Sequence, residues 1–416
     1  MPGLHHRPAL PSRREPAAMD DIHLFQQIQR VFLPLSYGGE DLPCRFAPGD
    51  AVATGDRLCP PECAVALSLR SSVEGVFEGL RTLSHPIYGT LTCAVIRPAI
   101  QPTPAPDITP AKGATAQQVL FAARDAAIID EIDGVPLYKK LAAFQEERVS
   151  YLVGDAVDAQ PYGCAGTAVL RRHGEAVGEG LWLATGAVGA VGCHLAVQLS
   201  PRQRNKLPAV LKGRLFPVKP GYPVGALSRA GSDVRVGRIG AQACLALQRA
   251  VTLKEAQHDL FVTVTGDAVE RPRTVCAPVG TPVTELLRFC GLVREPAQVI
   301  LGDALTGVAL DATDLPVLPG TTCLIALSKP PREPRACEGC GRCARVCPAR
   351  LMPDEIARRV EAMQYDRLEG LHPEECLQCG VCAYVCPAGR ELPALVREAA
   401  GAGGRMLMNW GDPDGT

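Results

Sequence analysis

The chain has 416 residues, a formal net charge of −1, and 41 glycines and 37 prolines against only 5% aromatic residues. That length predicts about three or four domains, and the near-zero charge excludes the basic field of a nucleic-acid binder and any acidic tail. Eighteen cysteines in so long a chain point to a reducing cytoplasm with bound and free thiols, not to a disulfide framework.

Residues 1–30 read as a disordered leader, Pro- and Arg-rich at the start and without the apolar core of a secretory signal. Residues 31–100 read as a compact β domain. VFLPLSYGG supplies a first strand, PGDAVATGDRL two Gly-Asp turns, and SSVEGVFEGLRTL and YGTLTCAVIRPAI the later strands. Residues 101–112 (QPTPAPDITPAK) form a Pro-rich linker.

Residues 113–255 alternate helical and strand patterns, which predicts an α/β domain on a parallel sheet. AQQVLFAARDAAIID is helical, RVSYLVGDAVDAQPY runs from a buried strand into an acidic loop, and GAQACLALQRAV is a further helix. LWLATGAVGAVGCHLAVQL is expected to be a strand, a glycine loop and a helix. Its glycines (Gly186, Gly189, Gly192) are spaced G-x2-G-x2-G with no acid about twenty residues on, so close packing is favoured over a nucleotide loop. The uncharged run from Gly180 to Pro201 is too rich in glycine and polar residues for a spanning helix, so no transmembrane segment is expected.

Cys164, in PYGCAG, lies just past the acidic loop at the carboxyl end of a predicted strand, where α/β folds place their sites. It is expected to be an accessible thiol that alkylates faster than the other non-cluster cysteines and relays electrons. The competing reading is a small buried residue. Residues 256–330 (DLFVTVTGDAV, a turn, a strand, TPVTELLRFCGL, AQVILGD, TTCLIALSK) fit a β-grasp module.

Residues 331–395 carry the strongest signal: CEGCGRCARVCP and, after a spacer, CLQCGVCAYVCP. Each is C-x2-C-x2-C-x3-C-P, the run that holds a cubane cluster and lends its fourth cysteine to the neighbouring one. Two [4Fe–4S] clusters follow, one on Cys337, Cys340, Cys343 and Cys386, the other on Cys376, Cys379, Cys382 and Cys347. Structural zinc favours separated C-x2-C pairs and fits two complete runs poorly. Helix PDEIARRVEAMQY bridges the runs, and residues 396–416 read as a tail.

The order PGDxVxxGDxL, VTxTGDAVxRPxT, GTPVxxLL and two cysteine runs resembles the RnfC family, the cluster-bearing subunit of the Rnf electron-transport complex, over roughly residues 31–395. The resemblance implies a multidomain α/β protein. It would comprise a barrel-sandwich hybrid related to biotinyl and lipoyl domains, a Rossmann-like domain related to the flavin subunit of complex I, a β-grasp (SLBB) domain and a ferredoxin domain. Residues 31–100 contain no lysine, so the first of these is expected to be a structural or docking module and not a swinging arm. Flavin-binding members cradle FMN on a glycine-rich loop; here Asp130, Glu131 and Asp133 stand in IIDEIDGVPLYKKL where those glycines would be, so FMN is not expected. Among soluble relatives the chain looks similar to the proline reductase-associated electron-transfer proteins, a resemblance that implies partner reductases such as proline reductase, or Rnf-type subunits, with membrane docking only through a partner. Bound flavin would instead favour an NADH dehydrogenase subunit or a corrinoid reductase, and redox-inert clusters a structural adaptor.

Overall fold

The computed structural model describes residues 10–11, 13, 21–25, 27–37, 40–60, 69–99, 113–219, 221–222 and 235–401; the Pro-rich linker 101–112 lies outside them. The molecule is a multidomain α/β protein.

Strand β1 (Ile22–Leu24) corrects the expectation of a leader unstructured through residue 30. It runs parallel to a strand of the β-grasp sheet, pairing Ile22 with Thr274 and Leu24 with Cys276, and buried Phe25 continues it with its ring 4.8 Å from Phe289. A three-residue strand shows no periodicity of its own; only the partner edge reveals it.

The β domain contains β2 (Val31–Pro34), β3 (Ser36–Tyr37), β4 (Glu40–Asp41), β5 (Ala51–Val52), β6 (Gly75–His85) and β7 (Gly89–Pro98). The antiparallel order is β2-β7-β6-β5, with β3 and β4 as a separate pair. The two Gly-Asp motifs are the expected turns. Gly49 and Gly55 take positive φ, and the Asp50 and Asp56 carboxylates accept the amides of Ala47 and Ala53 at 2.7 and 2.9 Å. Alternating residues Val31, Leu33, Phe77 and Ile96 fill its core.

The α/β domain follows with α1 (Ala116–Asp125), α2 (Leu137–Glu146), β8 (Tyr151–Ala156), α3 (Ala165–Val188), β9 (Gly192–Val197), α4 (Pro201–Arg204), β10 (Leu215–Pro217), β11 (Val236–Gly240) and α5 (Ala241–Thr252). Its strands are all parallel in the order β10-β9-β8-β11. The apolar stretch around the glycine repeat is reversed from the expected order, running helix, turn, strand. Gly186 lies inside α3, Gly189 caps it in the left-handed region at φ 78°, and Gly192 begins β9. These glycines therefore end a helix and do not open one, and they present no helix N-terminus to a phosphate. Gly180 does the close packing, since a Cβ there would lie 1.8 Å from the Cys244 carbonyl oxygen of α5.

The β-grasp domain comprises β12 (Asp259–Thr265), β13 (Arg273–Pro278), α6 (Val283–Cys290), β14 (Gln298–Leu301), β15 (Val308–Ala309) and β16 (Cys323–Leu327). The sheet order is β1-β13-β12-β16-β14-β15, with β12 and β16 the parallel central pair. Helix α6 buries Val283, Leu286, Leu287 and Cys290 against it. The β domain is fastened to this sheet: Phe32 donates its amide to the Gly280 carbonyl at 2.9 Å, and Ser72 its hydroxyl to Val279 at 2.7 Å. His85 plugs the same seam. Its Nδ1 accepts from the Ile87 amide, its Nε2 faces Pro316 without a well-formed hydrogen bond, and burial holds its pKa down to about 4.

The last domain contains α7 (Arg342–Val346), α8 (Pro353–Glu361), α9 (Val381–Tyr384) and α10 (Leu392–Ala399). Helix α8 buries Pro353, Ile356, Ala357 and Val360, a single helical stripe, with Asp354 and Glu355 in its first turn and Arg358 and Arg359 in its last. The expected boundary at 395 falls inside α10, whose Val396 is buried in this core, so the ordered domain runs beyond it; residues 402–416 lie outside those described.

Candidate electron-transfer site

The two cysteine runs fold alike. In each, the second cysteine is followed by a glycine in the left-handed region, Gly341 at φ 63° and Gly380 at φ 74°, which opens a short helix (α7 or α9) carrying the third cysteine. A side chain with a Cβ is strained in that conformation, so glycine is what lets the loop reverse over a cluster-sized space.

The eight cysteines divide between two cavities. One is lined by Cys337, Cys340, Cys343 and Cys386, the other by Cys376, Cys379, Cys382 and Cys347. Each cavity thus draws three thiols from one run and the fourth from the other. Leu392 and Ala357 close the first from below with Cys343; Leu351, Ile356 and Val396 pack with Cys347 beneath the second. Burial pushes the thiols of Cys343, Cys376 and Cys379 up and that of Cys382 to about 12. Such thiols keep their protons unless metal ligation replaces them. Four thiols around one small cavity are the donor set a [4Fe–4S] cubane takes, and the residues fit the group. Amides are already directed at sulfur, Leu351 to Cys347 at 3.3 Å and Gln378 to Cys376 at 3.5 Å, the kind of contact that tunes cluster potential.

Cys164 is not an exposed thiol. It is the N-cap of α3 and fully buried, with Sγ 3.5 Å from Thr263 Oγ1 and 3.8 Å from Thr274 Oγ1. The β-grasp sheet covers the loop that looked open in sequence, because β12 and β13 pack on it from about 100 residues away. A sulfur so enclosed is not the accessible, fast-alkylating thiol expected.

The acids of the α/β domain have internal employment. Glu131 accepts the amides of Gln242 and Ala243 at 2.7 and 3.0 Å, filling the N-terminus of α5 just beyond the carboxyl end of β11. A Cβ on Gly240 would sit 2.0 Å from its carboxyl carbon. Asp130, fully buried, accepts the Gly240 amide at 3.0 Å and pairs with Lys140 at 2.6 Å, which Asp133 also reaches at 2.6 Å. Burial works against the Lys140 charge, yet the flanking Asp130 and Asp133 raise its pKa above the ordinary value. Burial, then the Asp130 charge, pushes Glu131 up to about 8. Asp158 does for α3 what Glu131 does for α5, accepting the amides of Gly166 and Thr167 at 3.0 and 2.9 Å. Asp155 pairs with Arg238. Two anion-binding helix ends at the carboxyl edge of the parallel sheet, those of α3 and α5, are therefore taken by the chain's own acids. Those amides are closed to an FMN phosphate. The sequence marked Asp130, Glu131 and Asp133 as standing where glycines would be; it held no sign that Asp130 and Glu131 accept amides about 110 residues away.

Gln160, at the end of the acidic loop, accepts the Leu305 amide and donates to Thr306 Oγ1, both at 2.8 Å. The same β-grasp loop meets the second cysteine run, since a Cβ on Gly380 would lie 2.3 Å from the Leu305 carbonyl oxygen. Buried Tyr222 is near enough for Cys379 and Asp303 to add to the burial that raises its phenol.

Two family models match the chain: a 4Fe-4S dicluster domain at residues 334–390 and an SLBB domain at 261–309. The subunit designated C in the Na(+)-translocating ferredoxin:NAD(+) oxidoreductase complex of Acetobacterium woodii is 27% identical over 391 residues, 86% of this chain and 87% of its own length. The subunits so designated in the ion-translocating oxidoreductase complexes of Edwardsiella ictaluri and Cronobacter sakazakii are 30% and 27% identical over 54% and 81% of this chain, which spans only 31% and 47% of those proteins. Among solved structures, a chain of an NAD+-reducing [NiFe]-hydrogenase in the H2-reduced state superposes with a TM-score of 0.47 at 15% identity, over 72% of this chain and 63% of its own, too distant a likeness to argue from. No described helix is long and apolar enough to cross a membrane.

Proposed function

We propose that this RnfC-like chain is an iron–sulfur electron-transfer subunit that holds two [4Fe–4S] clusters and hands single electrons between protein partners of an ion-translocating oxidoreductase assembly. The observation that carries the reading is the partition of eight cysteines into two cavities of four, each completed by a thiol from the other run. Bound there, the clusters would supply one-electron redox chemistry. The chain's own part is to hold the thiols, direct amides at sulfur and keep water from the inner quartet. The named relatives are components of complexes, and none of them speaks for proline reductase as the acceptor.

In this reading the α/β domain carries no FMN, because Glu131 and Asp158 occupy the amides a phosphate would need. Anaerobically purified protein should contain about eight iron and eight acid-labile sulfide per chain and show no flavin absorbance. About two iron per chain would sink the cluster assignment; a stoichiometric yellow flavin would instead reinstate an NADH-oxidising subunit. Glu131→Gly should open the α5 amides and admit FMN weakly.

A further inference from the structure

The two quartets differ in what holds them. Cys337 and Cys340 of the first are exposed, and a Cβ on its Gly341 would meet only the Arg345 guanidinium. The second is pressed by a loop of the β-grasp domain. Residues 302–307, between β14 and β15, form a short closed turn in which Gly302 takes φ 97° and the Gly307 amide donates to the Asp303 carbonyl at 2.7 Å. Gln160, 9% exposed, grips this turn from the α/β domain. Its amide supplies an acceptor for the Leu305 N–H and a donor for Thr306 Oγ1 together, each at 2.8 Å. The turn in its place sets the Leu305 carbonyl on Gly380, where a Cβ would lie 2.3 Å from the oxygen. Gly380 stands between Cys379 and Val381, and the Val381 amide hydrogen-bonds toward the Cys379 sulfur. The contacts thus run in sequence from Gln160 through Leu305 and Gly380 to a cluster thiol.

We propose that Gln160 is a positioning residue for the second cluster: by fixing the Leu305–Thr306 turn on Gly380 it holds the Val381 amide on the Cys379 sulfur, and so sets that cluster's potential and not the first's. A donor aimed at a ligand sulfur favours the reduced, more negative cluster, so a tighter amide raises the potential. The turn passes position on because it is short and closed by its own hydrogen bond. The difference in potential between the two clusters, which decides where an electron rests, is then fixed in part by a domain that supplies no cluster thiol. The proposal rests on the reading of two bound clusters.

The test is a redox titration of the full chain followed by EPR, with iron and sulfide assayed first and each signal assigned through Cys337→Ala and Cys347→Ala. Gln160→Met keeps about the same volume and removes both hydrogen bonds. It should lower the second cluster's reduced-to-oxidised ratio at a fixed potential by about threefold to tenfold, about 28 to 59 mV for one electron, and leave the first unmoved. Thr306→Val, which spares the Leu305 bond, should shift the same signal the same way by less, and carries the test if Gln160→Met does not load its second quartet. Gln145→Met breaks a bond to the Ala187 carbonyl elsewhere in the α/β domain and should move neither signal. An unmoved or raised second potential in a fully loaded variant, equal shifts of both clusters, or an equal shift in Gln145→Met would overturn the proposal. About two iron per chain in the wild type would instead sink the cluster reading; about eight in the wild type with no shift in the variants would sink the positioning role alone.

Discussion

The two cysteine runs agree at eight of twelve positions, yet their quartets sit in unlike surroundings. Arg342 and Arg345 in the first run correspond to Val381 and Tyr384 in the second. Val381 is fully buried, whereas both arginines are exposed. The residues the runs share place the thiols; those they do not share decide what each quartet faces. One meets solvent behind those arginines, and the other is set against the β-grasp loop that Gln160 also holds.

Cysteine replacement breaks the comparison most severely. Cys337→Ala and Cys386→Ala should each remove the same cluster, leaving about four iron per chain, and Cys347→Ala should remove the other. EPR of the reduced variants decides it; loss of different signals in the first two would refute the crossed quartets.

The paired glycines sharpen it. Gly341→Ala meets nothing nearer than the Arg345 guanidinium at 3.6 Å and should cost about 1 kcal/mol of backbone strain. Gly380→Ala carries the same strain plus a backbone collision with Leu305, and should cost about 3 kcal/mol or more in chemical unfolding. Equal costs would mean the second run does not press on the β-grasp loop.

A subtler difference lies in Arg390, 6% exposed, paired with Glu361 and hydrogen-bonded toward Cys337. Its charge favours the reduced, more negative form of the first quartet's cluster alone. Arg390→Met should lower that cluster's potential by on the order of 50 mV while leaving the second unmoved; redox titration followed by EPR reads both.

The grouping of the thiols was legible because a cysteine run is local: spacing alone places them, and even the crossing of the fourth cysteine to the other cavity follows from it. The strands of residues 31–100 were legible through alternation and Gly-Asp turns. What the sequence hid was non-local. Cys164 looked open until Thr263 and Thr274 covered it, and Glu131 looked like a lost glycine until Gln242 and Ala243 gave it amides to cap. The run ending in Gly192 misled for another reason, since a short apolar stretch with glycines has no period that separates helix from strand.

Strand β1 has a consequence for the order in which the protein can be completed. Ile22 leaves the ribosome early, but its partner Thr274 follows about 250 residues later, a delay of roughly 13 to 50 s at ordinary elongation rates. The Phe32 amide waits as long for the Gly280 carbonyl. Through that interval the first domain holds an unfastened seam, with Phe25 and the edge of β2 lacking their cover. A nascent chain stalled before β13 emerges is thus the species in which this end of the molecule is open to pairing with the wrong strand.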